Sequence, residues 1–483
     1  MRRPIKIPRE SFDNYVLMDA KRPYPSLDCL TKKTLDSLDS RVRKLMEFED
    51  VGRTPFQAVD YLEGWVSGGP RFRKKNINES PGNSRKQKLY FVDPWEGNSM
   101  IIVKEGRLPI SEGFNMIVTH SDSPHVRVKP KAVRLEWSED KVFHHPGLRL
   151  SGILKGGGVT HQWVGQQVDV VGYVCTSKGK RPLSFPGDIG DYSGHVDNRD
   201  EEEVREAFQR EKLVEVVTGH SSVAEFLKRL ELESLDELGQ VVLYAVPRNA
   251  PLAIDEYNWR LLAAYRHDDL SCTYSAVDAL IRAKNPKLTS VVWVSDLEEV
   301  GDRGPSGVEG SFFDHVLDYL LERNYNRNGV EVSERGRRLL LHRSSVIIGD
   351  VSVAPYGADA DNMDVASAPK LGLGTYILAD DFETSHADFV RKLRGLALEG
   401  GGKRMNICHQ VAGNFYDQDQ MDCWLHSFEG KAHLLSRVGQ YGWVGIPCAS
   451  THSHNEKICP GDEYWTSRFY RKFLESDIGF SGG

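Results

Sequence analysis

The chain has 483 residues, of which 40% are hydrophobic and 27% are charged, and its formal net charge is -7 at pH 7. This length predicts two domains, because one hydrophobic core rarely serves so many residues. The acidic balance argues against a protein that binds nucleic acid through bulk charge. No apolar run is long enough to span a membrane, and the basic start Met1–Arg9 lacks the apolar stretch of a secretory signal.

The seven cysteines are scattered, odd in number, and never spaced as Cys-x-x-Cys. This pattern argues against a disulfide framework and against a structural zinc knuckle. We therefore expect reduced thiols and a cytoplasmic location.

The N-terminal part of the chain predicts two helices. Apolar residues spaced three to five apart indicate an amphipathic helix within 27–51. Gly52 interrupts that pattern, and Thr54 followed by Pro55 is typical of the start of a second helix.

The pattern then changes to short apolar runs, which predict strands at 100–103 and 116–118. The segment 126–254 contains further strand-like runs and a charged stretch, 201–215, that we expect to be helical. We interpret 126–254 as an inserted, β-rich domain. The remaining parts, 1–125 and 255–483, would then form the catalytic domain.

The C-terminal half alternates predicted helices with strand-like runs at 290–295, 345–348 and 444–448. Such alternation is typical of an α/β domain with a mostly parallel sheet covered on both faces.

Four groups of candidate metal ligands follow apolar runs, and a fifth precedes a predicted helix. The four are His120, Glu298–Glu299, Asp350 and His452, and the fifth is Asp268–Asp269. In an open α/β sheet, sites form outside the carboxyl ends of the strands. Residues that are distant in sequence are therefore predicted to converge on one site.

Two histidines and three carboxylates form a mixed nitrogen and oxygen shell that suits zinc, with manganese or cobalt as alternatives. We expect Asp268 to bridge two divalent ions about 3.5–4 Å apart. His120 and Asp350 would complete the ligand set of the first ion, and Glu299 and His452 would complete that of the second.

Two further carboxylates are assigned catalytic roles. Glu298, next to a ligand, would take the proton from the attacking water. Asp122, two residues after His120, would orient a ligand. His267 is either a supporting residue of this kind or a solvated neighbour.

Motifs over most of the chain resemble those of the aspartyl aminopeptidase-like metallopeptidases. The similar segments are Thr54–Val59, Thr119–Pro124, Val128–Pro130, Gly156–Gly158 with Trp163, Asp268–Cys272, Glu298–Gly301, Ala368–Gly374 and His452–Glu456. The resemblance assigns the same metal and base roles to the same positions. It also implies a zinc-, cobalt- or manganese-dependent aminopeptidase that acts on peptides. The inserted domain would serve dimerisation, and the protein would be a homo-oligomer, either a dimer or a dodecamer.

The chain departs from the family pattern on the substrate side. Val164–Gln167 stand where the family has Phe-Asp-Arg-Asp, Val353 where it has histidine, and Leu378 where it has lysine. These differences leave open the hydrolysis of another amide, such as an acylated amino acid. A non-catalytic scaffold is a third hypothesis, against which the presence of Glu298 argues.

Overall fold

The structure is a computed structural model, in which the chain forms two compact units. It describes residues 25–68, 72–82, 87–133, 148–156, 160–189, 213–254, 260–329, 331–379, 387–399, 407–413, 431 and 434–478. The first unit contains 1–122, 251–451 and 455–483, and the second contains 123–250 together with His452–His454. No helix within the described ranges has the length and apolar character needed to cross a membrane.

The helices and strands of the described residues are numbered in chain order. The helices are α1 (Pro25–Asp28), α2 (Lys32–Val51), α3 (Pro55–Gly68), α4 (Val223–Leu230), α5 (His267–Arg282), α6 (Phe312–Asn328), α7 (Glu334–His342), α8 (Ala387–Leu398) and α9 (Pro460–Glu475). The strands are β1 (Arg73–Lys74), β2 (Lys88–Val92), β3 (Met100–Lys104), β4 (Phe114–His120), β5 (His125–Val133), β6 (Leu148–Lys155), β7 (Gln167–Thr176), β8 (Gly179–Ile189), β9 (Leu213–Thr218), β10 (Val241–Pro247), β11 (Leu252–Ala253), β12 (Leu262–Ala264), β13 (Thr289–Ser295), β14 (Ser345–Ile348), β15 (Val351–Val353), β16 (Thr375–Leu378), β17 (His409–Ala412), β18 (Gln440–Cys448) and β19 (Glu456–Ile458).

The first unit is built on a ten-stranded, mainly parallel sheet. Its strand order is β1-β2-β3-β13-β4-β14-β18-β16-β17, with β15 paired to β18. The four central strands β13, β4, β14 and β18 are parallel neighbours, so their carboxyl ends lie side by side. The predicted α/β fold with a mostly parallel sheet is confirmed.

Both faces of this sheet are covered, because alternate residues of a strand point to opposite sides. In β4, Ile117 packs with buried residues of α2, α3, α5, α8 and α9. Its neighbours Met116 and Val118 pack instead with buried residues of α6 and α7. The sheet is therefore the middle layer between two helical layers.

Helix α2 is fixed at both ends by local hydrogen bonds. The Thr31 side chain accepts a hydrogen bond from Thr34 N at its start. Gly52 N donates to Phe48 O at its end, 2.7 Å away. A Cβ on Gly52 would lie only 2.8 Å from that same carbonyl oxygen, so the close approach favours glycine. The two predicted N-terminal helices are present as α2 and α3.

The second unit contains a closed antiparallel sheet with the strand order β10-β5-β6-β9-β8-β7. The predicted helix at 201–215 is wrong at its end, because 213–215 begin β9, which pairs with β6 and β8. Residues 201–212 lie outside the described residues. The run Leu213–Thr218 is rich in valine, which favours a half-buried strand. A role of this unit in dimerisation remains a prediction.

Candidate metal centre and active site

His120 is the last residue of β4 and is 2% exposed. Its Nδ1 lies 3.1 Å from the carbonyl oxygen of Asp122. Because a carbonyl only accepts hydrogen bonds, we infer that Nδ1 carries a hydrogen, which leaves Nε2 as the ring nitrogen that could bind a metal ion once it is deprotonated. Nε2 is buried and makes no hydrogen bond to any described residue. An orphaned, buried ring nitrogen of this kind fits a metal ligand.

The surroundings of His120 are strongly acidic. Burial by itself lowers the pKa of His120, but nearby carboxylates outweigh that effect and raise the pKa well above its ordinary value. These carboxylates belong to Glu298, Asp122, Asp268 and Asp350. The Nε2 atom lies 3.2 Å from Asp268 Oδ1 and 3.5 Å from Asp350 Oδ1. This concentration of negative charge around one ring would attract a cation.

The candidate ligand atoms fall into two groups, each within 4.8 Å. One group is His120, Asp269 and Asp350, and the other is Asp268, Glu299 and His452. All five predicted ligands belong to these groups, with His120 and Asp350 in one and Glu299 and His452 in the other. Asp269, which the sequence analysis did not select as a ligand, is the sixth member.

The two aspartates contribute to both groups from one turn at the start of α5. Asp268 and Asp269 have non-helical backbone angles and are joined by a cis peptide bond. Asp268 N donates to Glu456 Oε2, 3.0 Å away. Asp269 Oδ2 accepts a hydrogen bond from His120 N at 3.3 Å. Burial and the charge of Asp350 raise the pKa of Asp269 well above its usual range.

The second acidic turn follows β13 and contains Glu298 and Glu299. Both oxygens of Asp122 hold this turn, since Oδ1 accepts from Glu298 N at 3.1 Å and Oδ2 from Glu299 N at 3.0 Å. Leu297 and Gly301, on either side, have positive φ angles of 67° and 92°. Asp122 therefore contacts the backbone of the glutamate turn with its side chain and His120 with its carbonyl.

Glu298 belongs to neither group of candidate ligands. Its side-chain atom Oε2 lies 3.8 Å from His120 Nε2. Its other oxygen, Oε1, accepts a hydrogen bond from Lys431 Nζ at 2.6 Å. Lys431 is buried and also lies 3.4 Å from Asp350 Oδ2. Burial lowers the pKa of Lys431, but Glu298 and Asp350 outweigh it and raise that pKa well above its ordinary value.

Asp350 follows β14 and is fixed through its backbone. Its carbonyl oxygen accepts a hydrogen bond from the Tyr376 hydroxyl at 2.9 Å. A Cβ on Gly445 of β18 would lie 1.7 Å from that oxygen, so only glycine permits this approach.

Two residues near the site had no role in the sequence analysis. Lys431 is a single lysine outside any apolar or motif pattern, so nothing in the sequence marks it. Glu456 belongs to a recognised motif, but its hydrogen bond to Asp268 N follows only from the pairing of β12 with β19.

Carboxylates and histidines at the ends of parallel strands define a metal-dependent hydrolase. A family model described as aminopeptidase I zinc metalloprotease (M18) matches residues 49–184 and 199–393. The chain belongs to the M18 family, and it is a metal-dependent aminopeptidase. This assignment decides in favour of the aminopeptidase among the three hypotheses from the sequence.

Individual relatives agree with this family. The chain is 27% identical over 478 residues to a probable M18 family aminopeptidase 1 of Thermotoga neapolitana, covering 91% of this chain and 96% of the relative. The solved M18 aminopeptidase of Thermotoga maritima has a TM-score of 0.76 at 20% identity, covering 92% and 97%. A dodecamer of S. cerevisiae mApe1 has a TM-score of 0.68 at 16% identity, covering 92% and 98%. These two likenesses show a shared fold.

Proposed function

We propose that this enzyme removes N-terminal residues from peptides with two divalent cations, one in each of the two ligand groups. The observation that carries the proposal is that one acidic turn supplies both groups, Asp269 to one and Asp268 to the other. Asp268 Oδ1 also lies 3.2 Å from His120 Nε2, so Asp268 is close enough to the other group that it would help to hold both cations.

The donor atoms fit zinc, and they do not exclude manganese or cobalt. Each group offers one histidine nitrogen and carboxylate oxygens, a set that zinc binds well. The orphaned Nε2 of His120 and the orphaned Oδ1 of Asp269 are buried polar atoms for which a cation would be a partner. When bound, the ions would supply Lewis acidity that lowers the pKa of the attacking water and stabilises the developing oxyanion.

Glu298 is the residue we assign as general base. It is 9% exposed and lies beside His120, yet it is outside both ligand groups, so its carboxylate can take a proton. Asp122 holds its backbone, which fixes where the side chain starts. Lys431 holds Oε1, which leaves Oε2 as the oxygen facing His120 and the nearest candidate to accept the proton.

We also propose that the chain assembles into a homo-oligomer. The support is the fold shared over 92% of the chain with mApe1, whose solved form is a dodecamer. Mass photometry of the purified protein at nanomolar concentration would decide between monomer, dimer and dodecamer. A monomer at all concentrations would contradict this proposal.

The activity is tested with the full chain stripped by a chelator and reloaded with zinc, manganese or cobalt. Short peptides with free amino termini and the same peptides with acetylated amino termini are incubated together, and products are followed by mass spectrometry. We expect the free-amine peptides to shorten one residue at a time and the blocked ones to remain intact. Cleavage of the blocked peptides alone would overturn the assignment of the substrate.

A further inference from the structure

A buried pair, Glu49 and His267, lies next to the Asp268–Asp269 turn but outside both ligand groups. Glu49 is in the last turn of α2, and His267 is the first residue of α5. Both side chains are 0% exposed, and Glu49 Oε1 lies 2.6 Å from His267 Nδ1. His267 is therefore a buried, bonded residue and not the solvated neighbour that the sequence left open.

Both ring nitrogens of His267 have partners. Nε2 lies 3.2 Å from the carbonyl oxygen of Leu262 in β12. Because that oxygen can only accept, Nε2 must carry a hydrogen. Nδ1 and Glu49 Oε1 then share one further hydrogen, whichever atom holds it. The imidazole therefore ties α2 to β12, and its ring orientation is fixed from both sides.

The backbone that leads from His267 to the aspartates is held by two further bonds. Ser271 Oγ donates to His267 O at 2.6 Å, and Asp268 N donates to Glu456 Oε2 at 3.0 Å. Glu456 is in β19, which pairs with β12, the strand that also supplies the Leu262 carbonyl. The same small sheet thus contacts the segment at both His267 and Asp268.

The preceding residue, Arg266, repeats the connection to α2. Its guanidinium donates hydrogen bonds to Gly52 O at the end of α2 and to Ser121 O beside the candidate ligand His120. Arg266 is 1% exposed and has a φ angle of 83°. Two consecutive side chains, Arg266 and His267, therefore anchor the start of the acidic turn to the end of one helix.

We propose that Glu49 and His267 are positioning residues that hold the Asp268–Asp269 turn in the geometry needed to bind the cations. This inference rests on the proposed ligand roles of Asp268 and Asp269. Both contacts depend on the ring nitrogens, so an apolar side chain at position 267 could bond neither Glu49 nor the Leu262 carbonyl. The pair is therefore expected to affect metal affinity as well as stability.

The test compares Glu49→Ala and Glu49→Gln with a matched control, Glu105→Gln. Glu105 is also a largely buried carboxylate bonded to a cation, with Oε1 3.1 Å from Arg323 Nε, but it belongs to neither ligand group. Zinc stoichiometry is measured by elemental mass spectrometry, and the zinc dissociation constants are measured by competition with a chromogenic chelator. Melting temperatures of the metal-free and loaded proteins are measured in parallel.

We expect Glu49→Ala to weaken zinc binding about 10- to 100-fold, which is typical for residues that support metal ligands. Glu49→Gln should weaken it less, because its amide can still donate a hydrogen bond to Nδ1. Added zinc should return the kcat of both variants towards the wild-type value with little change in KM. Glu105→Gln should lower the melting temperature but leave the zinc dissociation constants unchanged.

The inference would be overturned if Glu49→Ala had the same zinc dissociation constants as Glu105→Gln and differed from the wild type only by a lower melting temperature. If Glu49→Ala does not fold, Glu49→Gln decides by the same comparison. Glu299→Gln, measured alongside, distinguishes a wrong positioning role from wrong ligand groups. If Glu299→Gln keeps all of its zinc, the proposed ligand groups themselves are wrong. If it loses zinc while the Glu49 variants do not, only the positioning role is wrong.

Discussion

Asp122 and Asp462 perform the same task in two regions of the molecule. Each uses both carboxylate oxygens to accept hydrogen bonds from two backbone N–H groups of one loop. Asp122 holds Glu298 and Glu299, at 3.1 and 3.0 Å. Asp462, at the start of α9, holds Gly372 and Gly374, both at 2.7 Å.

The difference lies in what each held loop carries. The loop held by Asp122 carries two acidic side chains, one in a ligand group and one beside His120. The loop held by Asp462 carries glycines and leads into β16. The same local geometry therefore supports the proposed chemistry in one region and packing in the other, and matched substitutions can separate the two.

The largest expected effect comes from the two glutamates that Asp122 holds. Glu298→Gln should lower kcat by about 10²- to 10⁴-fold, because the amide cannot take the proton from water. Its zinc content should equal that of the wild type. Glu299→Gln should lower the zinc content as well as kcat, because it removes a proposed ligand. Elemental analysis of both variants checks this, and equal zinc loss in Glu298→Gln would mean that the two roles are exchanged.

We call the pair of hydrogen bonds that each of these aspartates accepts from its loop a clamp. Breaking the clamp at Asp122 should have the next largest effect. Asp122→Asn has one acceptor oxygen in place of two, so Glu298 N or Glu299 N loses its partner. We expect zinc affinity to fall about 10- to 100-fold, with kcat at limiting zinc falling in parallel. Asp462→Asn breaks the other clamp in the same way and should leave zinc affinity unchanged. If the two variants bind zinc equally well, the clamp at Asp122 has no special role.

Removal of the cations should lower stability by an amount that depends on metal concentration. A ligand that binds only the folded state raises the free energy of unfolding in proportion to the logarithm of its concentration above the dissociation constant. The melting temperature should therefore rise with added zinc in the wild type and in Asp462→Asn. The rise should be smaller in Asp122→Asn at equal zinc, and scanning calorimetry over a zinc series measures it.

The smallest expected effect is a pH dependence at Asp462. Burial raises the pKa of Asp462 from 3.8 to about 7. Because the folded pKa exceeds the unfolded one, the folded state binds more protons in this window, and stability falls as pH rises from 3.8 to about 7. Asp462→Asn should not lose stability in this way, because its amide does not titrate in this range. The difference in unfolding free energy between wild type and variant should shrink over that range in urea titrations, and a constant difference would contradict the assignment.

Much of the catalytic layout could be predicted because it depends on local patterns. Apolar runs identify β4, β13 and β14, and polar residues that end or closely follow each run are placed near the strand ends. Parallel pairing then brings those ends together, as the register of β13, β4 and β14 shows. His120, Glu299 and Asp350 can be predicted as ligands on this ground, before any side-chain contact is considered.

Contacts made by residues with no local pattern could not be predicted. Lys431 lies 133 residues from Glu298 in sequence, and only tertiary packing places its ammonium against that carboxylate. Glu49 has the sequence context of a solvated helix residue, yet it is buried against His267. Asp269 belongs to an Asp-Asp pair before a helix, which is commonly a capping pair, so the local pattern does not distinguish it as a ligand. In each case long-range geometry outweighed local propensity.

The acidic cluster around His120 also has a consequence for the life of the protein in a cell. Carboxylates held this close repel one another unless cations neutralise them, and Lys431 offers only one positive charge to Glu298 and Asp350. A newly synthesised chain without bound metal is therefore expected to unfold, locally or globally, more often than a metal-bound chain. Because proteases degrade opened chains, metal supply would influence how much of this protein accumulates, and not only how fast each molecule works.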